Sequence, residues 1–594
     1  MKADKAAAAV ASATALLLSV TACSGSSSGP KSSSGSSSSG SSGANSSTSS
    51  SQGAAKGTLI FGEGTDFPTN LLGLIAAGNV TSVADLAGRV EDGLYRFAPN
   101  ITWQLDPDQG TATSTMVAGQ QVVDVKINPK AVWADGQPIT AADYIFTYTD
   151  TKSQDPKKGG CASLLGVTGE NQIEKATQVS AKEVKFTFIK GQPFADWKGL
   201  FSGASGSSPL LSKHLMDKGS AVADCAAITK GFPIAGGIPL AAANGPWLIL
   251  PKNINVASKT VTLTPNPKYW GAKPKLQRIV YTNIGSDPDT NVKALQNGEV
   301  NMIYPQPQLD LVANLAKVSN ATTSVNFGPS FEHLDFNVRD PLLAIKAVRQ
   351  AIAYGLNRKQ LVAATVAKFS PKASVLGNRF LVTSQPGYVD HSGAYATQNI
   401  AKAKQLLVSA GAKMGSDGIY AIKGKELKFA ITTTKANPLR DTTIQLMKQQ
   451  LQAIGVSVSE KATDDIFADK TKPDSLEAGG FQMALFAWVA GPAISSNNTI
   501  YGSLAFQGGA QGQNYTHGAD KAVDAVLYQL ARAPSPTAEI ADANKADSLL
   551  WGDMFTLPLY QKPTLLAYTK TFTGIADNST QAGPLWNNDT FSLK

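Results

Sequence analysis

"AVWADGQPITAADYIFTY", residues 131–148, reads as a turn that leads into a helix. The Asp135-Gly136 pair suits a tight turn, because glycine reaches backbone angles other residues avoid and aspartate bonds its own backbone. Pro138 stiffens the approach by fixing its backbone angle. Thr140 followed by Asp143 is a capping-box pattern, in which two side chains satisfy backbone N–H groups that a helix start leaves open. The segment therefore predicts a helix over 139–151 and casts these polar residues as scaffold.

On either side of this segment the chain alternates between two periods. "GTLIFG" (57–62), "EVKFTFI" (183–189), "KTVTLTP" (259–265), "LKFAITT" (427–433) and "QMALFAW" (482–488) are β-branched or aromatic and end at breakers, as strands do. "VRQAIAYGLNRKQLV" sets Val348, Ile352 and Leu356 on one helical face. "TTIQLMKQQLQAIG" does the same with Ile444, Met447, Leu451 and Ile454 before a stop at Gly455. "GVSVS" then returns to a strand. The alternation predicts α/β lobes. No repeat of 20–50 residues marks a solenoid or propeller.

A chain of 594 residues exceeds what one hydrophobic core fills, so two or more lobes are expected. The net charge of +9 is scattered, without the basic run or stripe of a nucleic-acid binder, and fits mild attraction to anionic cell-surface polymers or lipids. Three cysteines and four histidines form no CxxC, HExxH or Cys/His cluster, so no metal site is expected. There is no GxSxG elbow; "SGASGSSP" (202–209) reads as a loop and His333 as a strand residue among apolar neighbours. The pair Asp464/Asp465 does not make an acid/base couple by spacing alone. A secreted hydrolase is the rival class this inventory disfavours.

The N-terminus carries Lys2 and Lys5, an apolar stretch "AAAAVASATALLLSV", and then "VTAC". This is the order of a secretory signal peptide, and "VTAC" resembles a bacterial lipobox, so residues 1–22 are expected to be removed and Cys23 lipidated. The Ser/Gly-rich tract to residue 56 cannot bury enough apolar surface to fold. As a coil it would tether a body about 30 Å from its anchor on average. Export exposes the chain to oxidising surroundings, where the two remaining cysteines, Cys161 and Cys225, are expected to pair.

Several stretches, in order, resemble the extracellular solute-binding proteins of peptide- and nickel-type ABC importers. They are "DLAGRVEDGLYRF" (85–97), the 131–148 segment, "NGPWLI" with "VTLTPNPKYWGAKPKL" (244–249, 261–276), "ALQNGEVNM" (294–302), "LDFNVRDPLLAIKAVRQAIAYGLNR" (334–358) and "FQMALFAW" (481–488). The resemblance implies a periplasmic-binding-protein-like α/β fold with two lobes, one carrying an extra subdomain, and a ligand cleft between them. It divides the chain into 57–329 (first lobe and subdomain), 330–557 (second lobe) and 558–594 (return), crossing near Gly328–Asn337 and Thr556–Leu559. It implies a monomeric, non-enzymatic receptor without cofactor. The receptor would sit on the outer face of the cell membrane and serve a permease and its ATPase. Its ligand would be a short peptide or, alternatively, an oligosaccharide or metal chelate. The cleft positions implied are Asn79, Thr81, Asn244, Gly245, Phe331, Trp488, Val489, Ala490 and Asn497.

One departure bears on the ligand. Peptide binders of this family commonly hold the peptide's ammonium with an aspartate shortly after the loop tryptophan, but no Asp or Glu occurs here between Glu477 and Asp520. Either Glu63 or Asp66 takes that role, or the ligand lacks the charge. The favoured expectation is the second, with Gly491, Ser495, Ser496, Asn497 and Asn498 offering neutral hydrogen bonds.

Overall fold

The structure, a computed structural model, describes residues 55–594 apart from 65–66, 166–168, 204–208, 286, 469, 490–492 and 510–511. The expected signal peptide, Cys23, most of the expected tether, Asp66, Ala490 and Gly491 lie outside the described residues.

The 131–148 segment folds as its sequence dictates. Gly136 has φ +101°, and Gln137 N–H donates to Asp135 Oδ1 at 2.9 Å. Thr140 N–H donates to Asp143 Oδ2 at 2.8 Å, while Ala142 N–H donates to Thr140 Oγ1 at 3.3 Å. The helix Ala141–Thr151 lays Tyr144 and Tyr148 against Phe201 and Phe186. Those rings cover a four-stranded sheet in the order 110–117, 120–127, 183–188, 173–180. Along Gln120–Ile127 alternate residues are buried, the pattern of a sheet with one face on a core and one toward solvent. This unit is the extra subdomain. Nearby, a disulfide joins Cys161 to Cys225 across Cα atoms 5.1 Å apart.

The main sheet contains β1 (Thr58–Glu63), β2 (Trp247–Leu248), β3 (Thr260–Pro265), β4 (Arg278–Asn283), β5 (Met302–Ile303), β6 (Ala321–Phe336), β7 (Lys428–Thr434), β8 (Ser457–Thr463), β9 (Met483–Val489) and β10 (Thr556–Thr569). Their spatial order is β8-β7-β9-β6-β10-β5-β1-β4-β3-β2. The antiparallel pair β6–β10 is the seam. One core gathers Leu59, Phe61, Trp247, Ile279, Tyr281 and Leu566; the other gathers Leu334, Phe336, Ile352, Ile431, Leu485 and Tyr560. Leu557, Leu559 and Tyr560 still pack in the second core, and Leu565 and Leu566 in the first lobe. The return crossing therefore falls at Gln561–Thr564, later than the expected Thr556–Leu559.

The expected helix over 348–362 is two helices, Lys346–Gly355 and Arg358–Ala364. Leu356 is extended, and Asn357 starts a new helix by accepting from Gln360 N–H at 3.1 Å. Val348, Ile352 and Leu356 are nevertheless all buried. Helix Pro438–Gln452 buries Ile444, Met447 and Leu451, and Gly455 takes φ +76° beyond its end.

Candidate functional site

The seam breaks at one place. "FGPSF" (327–331) faces "QKPT" (561–564), and the register slips between the Phe327–Pro563 and Phe331–Gln561 pairs. Pro329 and Pro563 have no N–H to give a ladder. Gln561 fills the gap by donating from Nε2 to Gly328 O at 2.7 Å. Gly328 also backs onto Ser579, where a Cβ would stand 2.2 Å from the carbonyl oxygen. Two strands thus cross between lobes with few bonds holding the crossing rigid.

Beside this break lies a cavity of about 130 Å³ bounded by both lobes. Glu63 at the end of β1 and Thr81 and Asp85 of α1 (Thr81–Ala87) line one side. Ser330, Val489 and Lys562 line the other, and the segments 304–307 and 579–584 close it.

Charge in the cavity is unevenly compensated. Arg440 grips buried Glu332 with two N–H groups, each 3.0 Å from a carboxylate oxygen, and Lys562 Nζ stands 3.9 Å from the same carboxylate. Burial would raise the Glu332 carboxyl, but Arg440 and Lys562 outweigh it and hold it below the ordinary value. Burial pushes the Lys562 ammonium down to about 8, with Glu332 opposing and Arg440 adding to the shift. Asp85 is 6% exposed, and its Oδ1 has no hydrogen-bond partner. Burial, then the neighbouring Glu63, push its carboxyl well above the usual range.

Next to the cavity, aromatic rings line the start of the second lobe. Trp488 stacks between His333 (5.7 Å, 6°) and Tyr515 (5.9 Å, 10°), with Phe486 edge-on at 5.1 Å. It stands opposite Phe331 across β6–β9. Its ring is half-buried, and its Nε1 has no partner. Farther out, the second lobe meets the subdomain. Ala493 packs into the subdomain core, Ser495 N–H donates to Glu539 Oε1 at 3.2 Å, and Gln172 Nε2 donates to Ala531 O at 2.8 Å.

The model of the bacterial extracellular solute-binding proteins, family 5, matches residues 106–509. The chain belongs to that family. It is 28% identical over 529 residues to the oligopeptide-binding protein OppA of Mycobacterium tuberculosis, covering 86% of this chain and 82% of that one. Among solved structures it superposes on the periplasmic EDTA-binding protein EppA with TM-score 0.79 at 24% identity, covering 91% of this chain and 97% of EppA. It also superposes on the oligopeptide-binding protein AppA of Bacillus subtilis in complex with a nonapeptide, with TM-score 0.69 at 18% identity and coverage of 91% and 99%.

Within this family 5 protein the expected cleft residues separate into three groups. Thr81 and Val489 line the cavity, and Phe331 and Trp488 lie beside it. Asn79 is exposed in the turn before α1. Asn244, Gly245 and Asn497 are corrections, because their groups are already engaged. Asn244 clamps Asp92, accepting from its N–H at 2.7 Å and donating to its carbonyl at 2.8 Å. The N–H groups of Asn244 and Gly245 both donate to Val90 O. A Cβ at Gly245 would stand 2.2 Å from Arg89 O, so the glycine serves close packing. Asn497 is buried and donates to Ile494 O at 2.9 Å.

That clamp belongs to a braced charge cluster beyond α1. Arg89 bonds Asp92 and stands 3.3 Å from Asp589 and 3.5 Å from Asp106. Arg96 bonds Asp106 and reaches Asp92 at 3.8 Å and Asp589 at 3.7 Å. The "EDGLYR" stretch thus works as a fastener. Sequence reasoning missed Asp85, Ser330 and Lys562. Asp85 did carry a signal, being an acid among Val83, Leu86 and Ala87 on the buried face of a helix, where unpaired acids are rare. No cluster able to hold a metal ion occurs among the described residues.

Proposed function

We propose that this protein captures short peptides outside the cell and delivers them to the permease and ATPase of an ABC importer. In this reading it acts as a monomer anchored by lipid on Cys23. The observation that carries the reading is the cavity at the break of the β6–β10 seam, bounded by both lobes and flanked by the half-buried Trp488. A ligand bridging the lobes there favours the closed form by its differential affinity for that form, and no catalytic group is needed. Two relatives bear oligopeptide-binding names, which supports a peptide. The EDTA-binding neighbour raises the metal chelate as a second reading. A polyanionic chelate would find Lys562, already drawn to Glu332, as the cation lining this cavity, and a buried anion so poorly compensated is disfavoured.

Native mass spectrometry of the protein extracted from membranes in mild detergent tests this. Peptide masses of a few residues, released on denaturation, are expected; saccharide or chelate masses alone would overturn the reading. The anchor is tested by fractionation: Cys23→Ala should move the protein from the membrane to the soluble fraction.

A further inference from the structure

The loop after Trp488 has little to offer an ammonium group. It lacks acids, and several of its described polar groups are engaged, although Asn498 Oδ1 is buried without a partner. Ser495 N–H serves Glu539, Ser496 Oγ donates to Ala493 O at 2.6 Å, and Asn498 Nδ2 donates to Leu527 O at 3.0 Å. Of the neutral groups expected from this loop, Asn498 Oδ1 is the buried side-chain atom without a partner among the described residues.

The opposite wall of the cavity differs. Asp85 presents a carboxyl that is almost wholly buried, forms no ion pair with a cation among the described residues, and has an oxygen without a hydrogen-bond donor. It lies against Gly583, where a Cβ would stand 2.1 Å from Asp85 Oδ1, so the absent side chain makes room for the carboxyl. Glu63, also buried, lines the same wall from β1.

Resting on the reading that this cavity holds the ligand, we infer that Asp85, with Glu63 beside it, anchors an ammonium group of the ligand. The titratable and charged groups facing Asp85 are Glu63 from β1, Tyr304 after β5 and Lys562 from β10. Lys562 is already drawn to Glu332. Burial, then Glu63, push the Asp85 carboxyl upward, toward its protonated form. An entering R–NH₃⁺ gives its carboxylate form a partner, so Asp85–COOH becomes Asp85–COO⁻ paired with R–NH₃⁺ and one proton passes to solvent. Peptide uptake into the cavity therefore releases protons over the pH range in which the unpaired Asp85 carboxyl is protonated. A ligand lacking the amine does not release one.

Calorimetry on the full-length protein in detergent, with tetra-alanine and its N-acetylated form as probes, tests this. Runs in two buffers of different ionisation enthalpy count the protons released. Acetylation is expected to weaken binding by about 10–100-fold, the scale of a hydrogen bond to a charged group, and to abolish proton release. Asp85→Asn should bring the two affinities within about threefold, and Glu63→Gln should narrow the gap less. Equal wild-type affinities or an unchanged gap in Asp85→Asn would overturn the inference alone. Binding of neither probe would overturn the peptide reading and the inference with it. Proton counting on the wild type needs no variant to fold.

Discussion

Two groups of buried charge flank the same short helix and are built to opposite rules. Beyond α1, Arg89 and Arg96 face Asp92, Asp106 and Asp589, so each carboxylate meets two cations. Burial would raise the Asp106 carboxyl, but Arg96 and Arg89 hold it below the usual range. On the cavity side, Asp85 has no such partner and its carboxyl is driven upward. Removing a charge from water without compensation is costly, so folded chains pair buried charges wherever they serve only the fold. The cluster of mutual ion pairs fits a scaffold, although Arg89 Nε, Arg96 Nε and Asp589 Oδ1 have no hydrogen-bond partner and burial still lifts the Asp92 carboxyl to about 6. Asp85, beside the cavity and without a paired cation, is the group proposed above to meet the ligand.

The comparison breaks if the braced cluster touches binding. Arg89→Ala would leave three aspartates with Arg96 alone, and a loss of about 3–5 kcal/mol is expected from a broken buried network. Urea midpoints measure the loss, while peptide affinity of the folded protein should stay within about twofold, because none of the cluster's side chains lines the cavity. A weakened affinity without lost stability would show that the cluster belongs to the site.

Lys562 sharpens the contrast from the other side. Its folded value of about 8 lies below the free lysine value of about 10.4. Between these, the unfolded chain binds more protons than the folded one, so stability rises with pH across that window. Lys562→Met should flatten the rise and stabilise the protein at pH 7 by up to about 3 kcal/mol, less what Glu332 loses with its second cation. Urea midpoints at pH 7 and pH 10 check this; a variant less stable than wild type at pH 7 would make the ammonium a brace like Arg89.

The smallest effect expected on stability is at Trp488. Being half-buried, Trp488→Ala should cost about 1–2 kcal/mol, below the roughly 3–5 kcal/mol of a fully buried aromatic. Peptide affinity should fall with it, and wild-type fluorescence should change on binding. A large fall in melting temperature with unchanged affinity would place the ring in the core instead.

Much of the fold was legible. The Thr140–Asp143 box, the Gly136 turn and the positive φ of Gly455 are local consequences of residue type, and they stand where the sequence puts them. The break at Leu356 was harder to see, because the buried face continues across it, although Asn357 is itself a cap signal. Of the expected cleft positions, Thr81 and Val489 line the cavity. Asn244 was misread because an amide beside a glycine looks the same whether it holds a ligand or a backbone. Asp92, which it clamps, is 152 residues away.

By itself the sequence determined the turns, caps, strand and helix periods and the family motifs, since each depends on neighbours within a few residues. Only the tertiary structure decided which buried charges are paired. It brings Arg89 to Asp589, Arg440 to Glu332, and Lys562 across from Asp85. Burial leaves a trace in hydrophobic pattern, but Coulomb attraction depends on distance in space. The approach of segments hundreds of residues apart therefore settled which carboxylate is braced and which is left open.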